Sequence, residues 1–349
     1  MSLAVPARTR WLLPCAVLGA FAMAGGELAR GAEAARAWLD KMNQALATRN
    51  YDGTFFHLSE GRVETMRILH RFKAGHITER LLSLDGSGRE FVRKDGELTC
   101  YLPDQHTVLV EPQDHGPLIG SLPQIAAAMD EYYRLALGPA TKVLGRAARV
   151  ISVDPRDQYR FGYRLWLDES TAMPLKTQLC DANGQVIEQI LFARLDMPES
   201  IPDSALVPAV RTEGMRWVRQ VPTRGLDAPT LSLFRSRQLP PGFRLTDAGE
   251  QTLNGAGAPA AHLVYSDGLA TVSVFVEEPG SRAALAGAPI PATSATTDPA
   301  TTPLQGLARV GSGFAFSTVV QGHQVTAVGE VPAKTVESIA ESVQAHDPH

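Results

Sequence analysis

Residues 159–192 read YRFGYRLWLDESTAMPLKTQLCDANGQVIEQILF, and this stretch decides the fold class. Tyr159, Phe161, Tyr163, Leu165 and Leu167 take every second position, while Arg160, Arg164 and Trp166 fall between them. A period of two marks a strand with one buried face. Asp168-Glu169-Ser170-Thr171 then supplies a turn into residues 175–180, and Asp181-Ala182-Asn183-Gly184 a second turn into residues 186–192. Consecutive strands on short turns make an antiparallel meander.

The same signal recurs upstream. Residues 54–58, 66–72, 77–84, 90–93, 98–102 and 107–111 read as strands, separated by turn dipeptides such as Asp85-Gly86 and Asp95-Gly96. Residues 142–153 read as another. Two helices accompany them. Trp38, Leu39, Met42, Ala45 and Leu46 give residues 33–48 one apolar face, and Ile125, Met129, Tyr132 and Leu135 or Ala136 give a second helix ending at Gly138-Pro139. Downstream, Pro198, Pro202 and Pro208 break the pattern, and residues 211–229 read as a linker. A smaller unit follows, with strands at 231–236, 244–253, 262–265, 270–277, 307–317 and 324–331. Its terminal helix opens at Pro332 and buries Val336, Ile339, Ala340 and Val343. Residues 279–303, rich in Ala, Thr and Pro, read as a mobile loop.

Composition bounds the function. The chain has 349 residues, 44% hydrophobic and 20% charged, which suits two folded domains and excludes a disordered or multispan chain. A net charge of −4 argues against a nucleic-acid binder. Arg8 and Arg10 ahead of the apolar residues 11–24 read as an export signal, with Ala32-Glu33-Ala34 or Ala22-Met23-Ala24 as the cleavage site. An uncleaved anchor is the alternative, but the apolar run falls short of the ~20 residues that span a bilayer. Removing residues 1–34 takes three arginines and two glutamates and leaves a charge of −5. Cys100 and Cys180 then remain, as buried thiols or as a disulfide.

Catalytic signatures are missing. The sequence holds no phosphate loop, no H-E-x-x-H, no paired C-x-x-C and no G-x-S-x-G. His57, His70 and His76 lie close together but lack metal-ligand spacing. No metal, cofactor or catalytic residue is expected. An envelope hydrolase is a rival reading that would need a convergent polar site. The apolar strand faces suit an ordinary sheet core or, if the sheet curls without closing, a lipid groove.

Several segments resemble the RseB/MucB family of sigma-E regulatory proteins: residues 38–42, 50–55, 64–68, 79–86, 98–104, 239–243, 262–270, 322–326 and 328–332. They cover nearly all of the expected mature chain in order. The resemblance implies an α+β protein. Its larger domain (residues 35–208) is an unclosed antiparallel β-barrel with helices, like lipoprotein carriers. A linker (209–229) and a smaller C-terminal α/β domain (230–349) follow. It further implies a periplasmic protein that binds the periplasmic domain of a membrane-spanning anti-sigma factor. That binding shields the factor from proteolysis, and envelope lipid or lipopolysaccharide releases it. A homo-oligomer is possible, and a lipid or lipoprotein carrier is the alternative function.

With the cavity placed by the resemblance, Phe56, Met66, Ile68, Tyr159, Phe161, Tyr163 and Leu165 are the candidates to line a lipid groove. His262, Tyr265, His323 and Gln324, in the matching stretches of the smaller domain, are the candidates for partner contact. The signal reading predicts a mature N-terminus between residues 25 and 35. N-terminal sequencing of the periplasmic protein checks it, and an intact Met1 contradicts it.

Overall fold

The computed structural model describes residues 21–112, 118, 129–219, 234–251, 260–277 and 305–345. Helix α1 (Phe21–Thr48) leads into β1 (Tyr51–Ser59), β2 (Arg62–Lys73), β3 (His76–Ser83), β4 (Glu90–Lys94), β5 (Glu97–Leu102) and β6 (Thr107–Pro112). A short α2 (Met129–Tyr132) precedes β7 (Tyr133–Val143), β8 (Arg146–Pro155), β9 (Gly162–Asp168), β10 (Pro174–Cys180) and β11 (Val186–Asp196), and β12 (Arg216–Arg219) comes last. These twelve strands form one sheet in the order β12-β6-β5-β4-β3-β2-β1-β11-β10-β9-β8-β7. Two meanders, one of six strands and one of five, are joined by β1 against β11. Only β12 runs parallel to its neighbour, β6. The end strands β12 and β7 do not pair with each other among the described residues, so the sheet is unclosed.

Local chemistry explains the tight connections. Asp95-Gly96 joins β4 to β5 with both residues at positive φ, 52° and 77°, the two-residue geometry whose twist matches that of the flanking strands. Glycine takes the second place at no steric cost.

One face of the sheet is covered by α1, which lies against β7 and β8. Ala35, Leu39, Met42, Ala45 and Leu46 meet Tyr51, Phe55, Ile68, Leu135, Ile151, Leu165 and Phe192 in one buried cluster. Each such large side chain contributes about 1.5–3 kcal/mol relative to exposure. Part of the opposite face is covered by the chain after β11, where Ile201 and Leu206 pack on Leu69. Arg80 donates to the Ala205 carbonyl at 3.0 Å.

The second sheet is antiparallel throughout. It comprises β14 (Arg244–Gln251), β15 (Ala260–Ser266), β16 (Thr271–Glu277), β17 (Gly306–Val310), β18 (Gly313–Val320) and β19 (His323–Gly329), in the order β14-β15-β16-β19-β18-β17. Helix α3 (Ala333–Glu341) lies on β18 and β19, burying Val336, Ile339 and Ala340. A small pair, β13 (Phe234–Ser236) with β20 (Val343–Ala345), flanks it.

Several expectations are corrected. Among the described residues the helix expected up to Leu135 or Ala136 ends at Tyr132, and both of those positions belong to β7. Tyr133, Leu135 and Leu137 carry a period of two, and the strand wins. Gly138 and Pro139 sit inside β7 at a register shift; as an end strand it tolerates a residue with no N–H. Ile125 lies outside the described residues. The strand expected at 142–153 is a hairpin turned at Leu144-Gly145, and that at 307–317 turns at Gly311-Ser312. Val343 has left the helix for β20. Within the expected linker, residues 216–219 form β12. The loop expected at 279–303 lies outside the described residues. Cys100 and Cys180 are both buried free thiols. The cleavage site at 32–34 falls within α1, and among the described residues no helix is long and apolar enough to cross a membrane.

Candidate functional site: the inner wall and the domain junction

Register decides which residues share the face under α1. Phe55 pairs with Met66, and Gly53 with Ile68, which pairs in turn with Leu81. Across the other meander, Ile190 pairs with Thr177, Thr177 with Leu165 and Leu165 with Ile151. Gly53 is required here, because a Cβ would stand 2.4 Å from the Phe192 ring. Met66, Ile68, Phe161, Tyr163 and Leu165 all join this wall, and beneath α1 they form a packed core. Two groove candidates fall elsewhere. Phe56 is 38% exposed on the outer face, because Phe55 holds the inward position and adjacent strand residues point oppositely. Tyr159 precedes β9, whose alternation starts only at Gly162, and its ring lies under Lys334 Nζ at 5.3 Å.

A polar row crosses the wall on four successive strands: Tyr51, His70, Glu79 and Arg93. The Tyr51 and His70 rings stack at 4.5 Å. His70 Nδ1 lies 2.8 Å from the Arg49 carbonyl, which sets that nitrogen as the donor. Arg93 reaches Glu79 at 2.8 Å, and the Leu118 amide donates to the same carboxylate at 3.2 Å. Burial lowers His70 to about 4 and raises Glu79. At the rim, His57 Nε2 lies 3.1 Å from Glu188, and that hydrogen bond raises the imidazole. Spacing alone cannot reveal such a row, since its members belong to different strands. Among the described residues no cluster of three or more potential metal ligands occurs.

The second domain meets the first at Arg160, whose side chain has no exposed surface. Its guanidinium lies 4.8 Å from the Tyr132 ring centroid and 5.4 Å from those of Tyr133 and Phe243. Its Nη1 is 3.3 Å from Asp267 Oδ2, a carboxylate as buried as itself, and Nη2 donates to the Pro241 carbonyl. The Tyr133 hydroxyl donates to Asp267 Oδ2 at 3.0 Å. Burial, with Asp267 alongside, pushes that phenol far above its ordinary value. Asp267 Oδ1 accepts the amides of Leu269 and Ala270 at 2.8 and 2.7 Å. Alongside, Thr335 Oγ1 donates to the Tyr159 carbonyl at 2.6 Å. Sequence reading set Arg160 on the polar side of a strand; it stands before that strand begins.

The MucB/RseB N-terminal domain matches residues 34–210 and the MucB/RseB C-terminal domain matches residues 229–344. The chain belongs to the MucB/RseB family. It is 32% identical over 308 residues to the sigma factor AlgU regulatory protein MucB of Pseudomonas aeruginosa, covering 88% of this chain and 90% of that protein. Among solved structures, the Pseudomonas aeruginosa MucA/MucB complex superposes with a TM-score of 0.66 at 29% identity, over 90% of this chain and 100% of that one. The structure of MucB alone superposes at 0.60, with 29% identity, over 90% of this chain and 99% of that one.

The four partner candidates of this MucB/RseB chain do not form one patch. Tyr265 is wholly buried, and its hydroxyl accepts the Ser236 amide at 2.9 Å. It is a core residue of the smaller domain because β15 turns positions 261, 263 and 265 inward. His262, on the other side of β15, stacks on Phe275 at 4.5 Å, and burial lowers its imidazole. His323 packs edge-on against Phe234 at 5.0 Å. Gln324 donates to the Thr318 carbonyl at 3.2 Å.

Two outcomes follow from the wall. Phe161→Ala removes a buried ring from a packed core and is expected to cost about 3–5 kcal/mol in denaturant unfolding; a loss near zero contradicts that packing. His70 has a lowered value in the fold, so its contribution to stability is full above about 6.5 and is lost as pH falls towards about 4. Between pH 7 and pH 5 the thermal midpoint is expected to fall further in the parent than in His70→Gln. Equal falls contradict the assignment.

Proposed function

We propose that this protein is a periplasmic, non-catalytic negative regulator of an envelope-stress sigma factor. It binds the periplasmic domain of a membrane-spanning anti-sigma factor and shields it from proteolysis. One observation carries the reading: both family domains are present in order, in an arrangement like that of MucB in its complex with MucA. The basic and apolar residues 8–24, read from the sequence as an export signal, support the compartment.

Release by envelope lipid or lipopolysaccharide belongs to the same proposal. The inner wall is apolar and unclosed at its edges, which suits an acyl chain. Helix α1 and the wall residues pack against one another, so a lipid has to displace part of that packing. Lipid and partner are then linked: if each favours a different arrangement of the protein, each weakens the other by the same factor. A lipid carrier is the second reading, favoured by the same wall, and it needs no anti-sigma partner.

Calorimetric titration of the mature chain with the anti-sigma periplasmic domain, with and without lipopolysaccharide, separates these readings. Saturable binding weakened ~5–150-fold by lipopolysaccharide is expected, the range of a coupling of about 1–3 kcal/mol. Lipid binding without any anti-sigma binding favours the carrier and overturns the proposal.

A further inference from the structure

The contact between the domains is built like a lock. Arg160 leaves the first domain just before β9 and ends among the rings of Tyr132, Tyr133 and Phe243, facing Asp267 of the second. Aromatic faces attract a cation and exclude water, which strengthens its attraction to the carboxylate. Asp267 is fixed from its own side by the Leu269 and Ala270 amides, and from the first domain by the Tyr133 hydroxyl. Gly242, at φ +83°, lets the second domain's chain lie against Tyr132, where a Cβ would be 2.5 Å from the ring.

Withdrawing Arg160 leaves the wholly buried Asp267 carboxylate without its cation, and withdrawing Asp267 leaves Arg160 only the part-exposed Asp157 of its own domain, 3.4 Å from Nε; breaking one side of such a buried pair is costly. Partial opening is therefore disfavoured: the guanidinium is either seated or out in water with its partner rehydrated. Contacts of this kind switch between discrete arrangements instead of deforming gradually.

We infer that the Arg160–Asp267 junction is a two-state latch that sets the orientation of the two domains, and that the latched arrangement is the one that receives the anti-sigma domain. The second half rests on the proposed function; the first does not. Its direction is taken from whole-chain similarity alone, a TM-score of 0.66 to the MucA/MucB complex against 0.60 to MucB. Phe161 and Tyr133 belong to the inner-wall core while Arg160 and Asp267 adjoin them, so wall and latch share a boundary.

The test uses the full mature chain as Arg160→Met and Asp267→Asn, each checked for folding by circular dichroism. Arg160→Met keeps an apolar stem in the cage. Asp267→Asn keeps shape and loses only charge, so it carries the test if the first variant fails to fold. Small-angle scattering reads orientation, and calorimetry reads affinity for the anti-sigma periplasmic domain. Both variants are expected to show a larger radius of gyration and at least ~10-fold weaker binding, with the double variant no worse than the singles. Folded variants with parental scattering overturn the latch. Larger variants with parental affinity overturn the link to partner binding. If the parent binds no anti-sigma domain, the proposed function fails while the scattering result still decides the latch.

Discussion

A guanidinium with no exposed surface must be compensated on every side, and the meeting of the two domains is organised around that demand. Three rings, two carboxylates (Asp157 of its own domain and Asp267 of the other) and one carbonyl surround Arg160, and they come from both domains. The first domain alone supplies Asp157, Tyr132 and Tyr133, and the second adds Asp267, Phe243 and the Pro241 carbonyl. A buried pair of this kind adds little net stability, since desolvation offsets the attraction. What it supplies is discrimination among arrangements, because every misaligned orientation leaves a charge in a dry site. The Tyr159 carbonyl with Thr335 gives a second, neutral contact beside it.

The first domain is subject to a different constraint, the cover of its apolar sheet face. An unclosed sheet with one apolar face would expose that face, and α1 covers it with Leu39, Met42 and Leu46. The wall residues proposed to meet an acyl chain therefore pack against a helix. The polar row Tyr51–His70–Glu79–Arg93 interrupts the wall and holds hydrogen bonds that an apolar ligand cannot replace.

Much of the fold was legible because parity along a strand is a local property. The meander from Gly162 to Asp196 followed from alternation and turn residues, and so did the helix carrying Trp38 to Leu46. Parity failed where two periods competed. Tyr132, Leu135 and Ala136 fit a helix, Tyr133, Leu135 and Leu137 fit a strand, and from Tyr133 onward the sheet edge took the chain. It also failed by one residue at Phe56, where the inward place belongs to Phe55. The site was less legible. Met66, Ile68, Phe161, Tyr163 and Leu165 came from alternation, whereas Arg160, Asp267 and the row through His70 depend on contacts between distant segments. Asp267-Gly268 carried only the signal of a turn, and no local pattern marks a turn whose carboxylate faces another domain.

The orientation of the domains is the quantity on which the account turns. A pulsed electron-paramagnetic-resonance distance measurement reads it directly, with spin labels at Val207→Cys and Leu307→Cys, both exposed positions, one in each domain. A single narrow distance distribution is expected in the otherwise native chain, and a broad or displaced one once Asp267→Asn is added. A broad distribution in the native chain, or a narrow one left unchanged by Asp267→Asn, would contradict it.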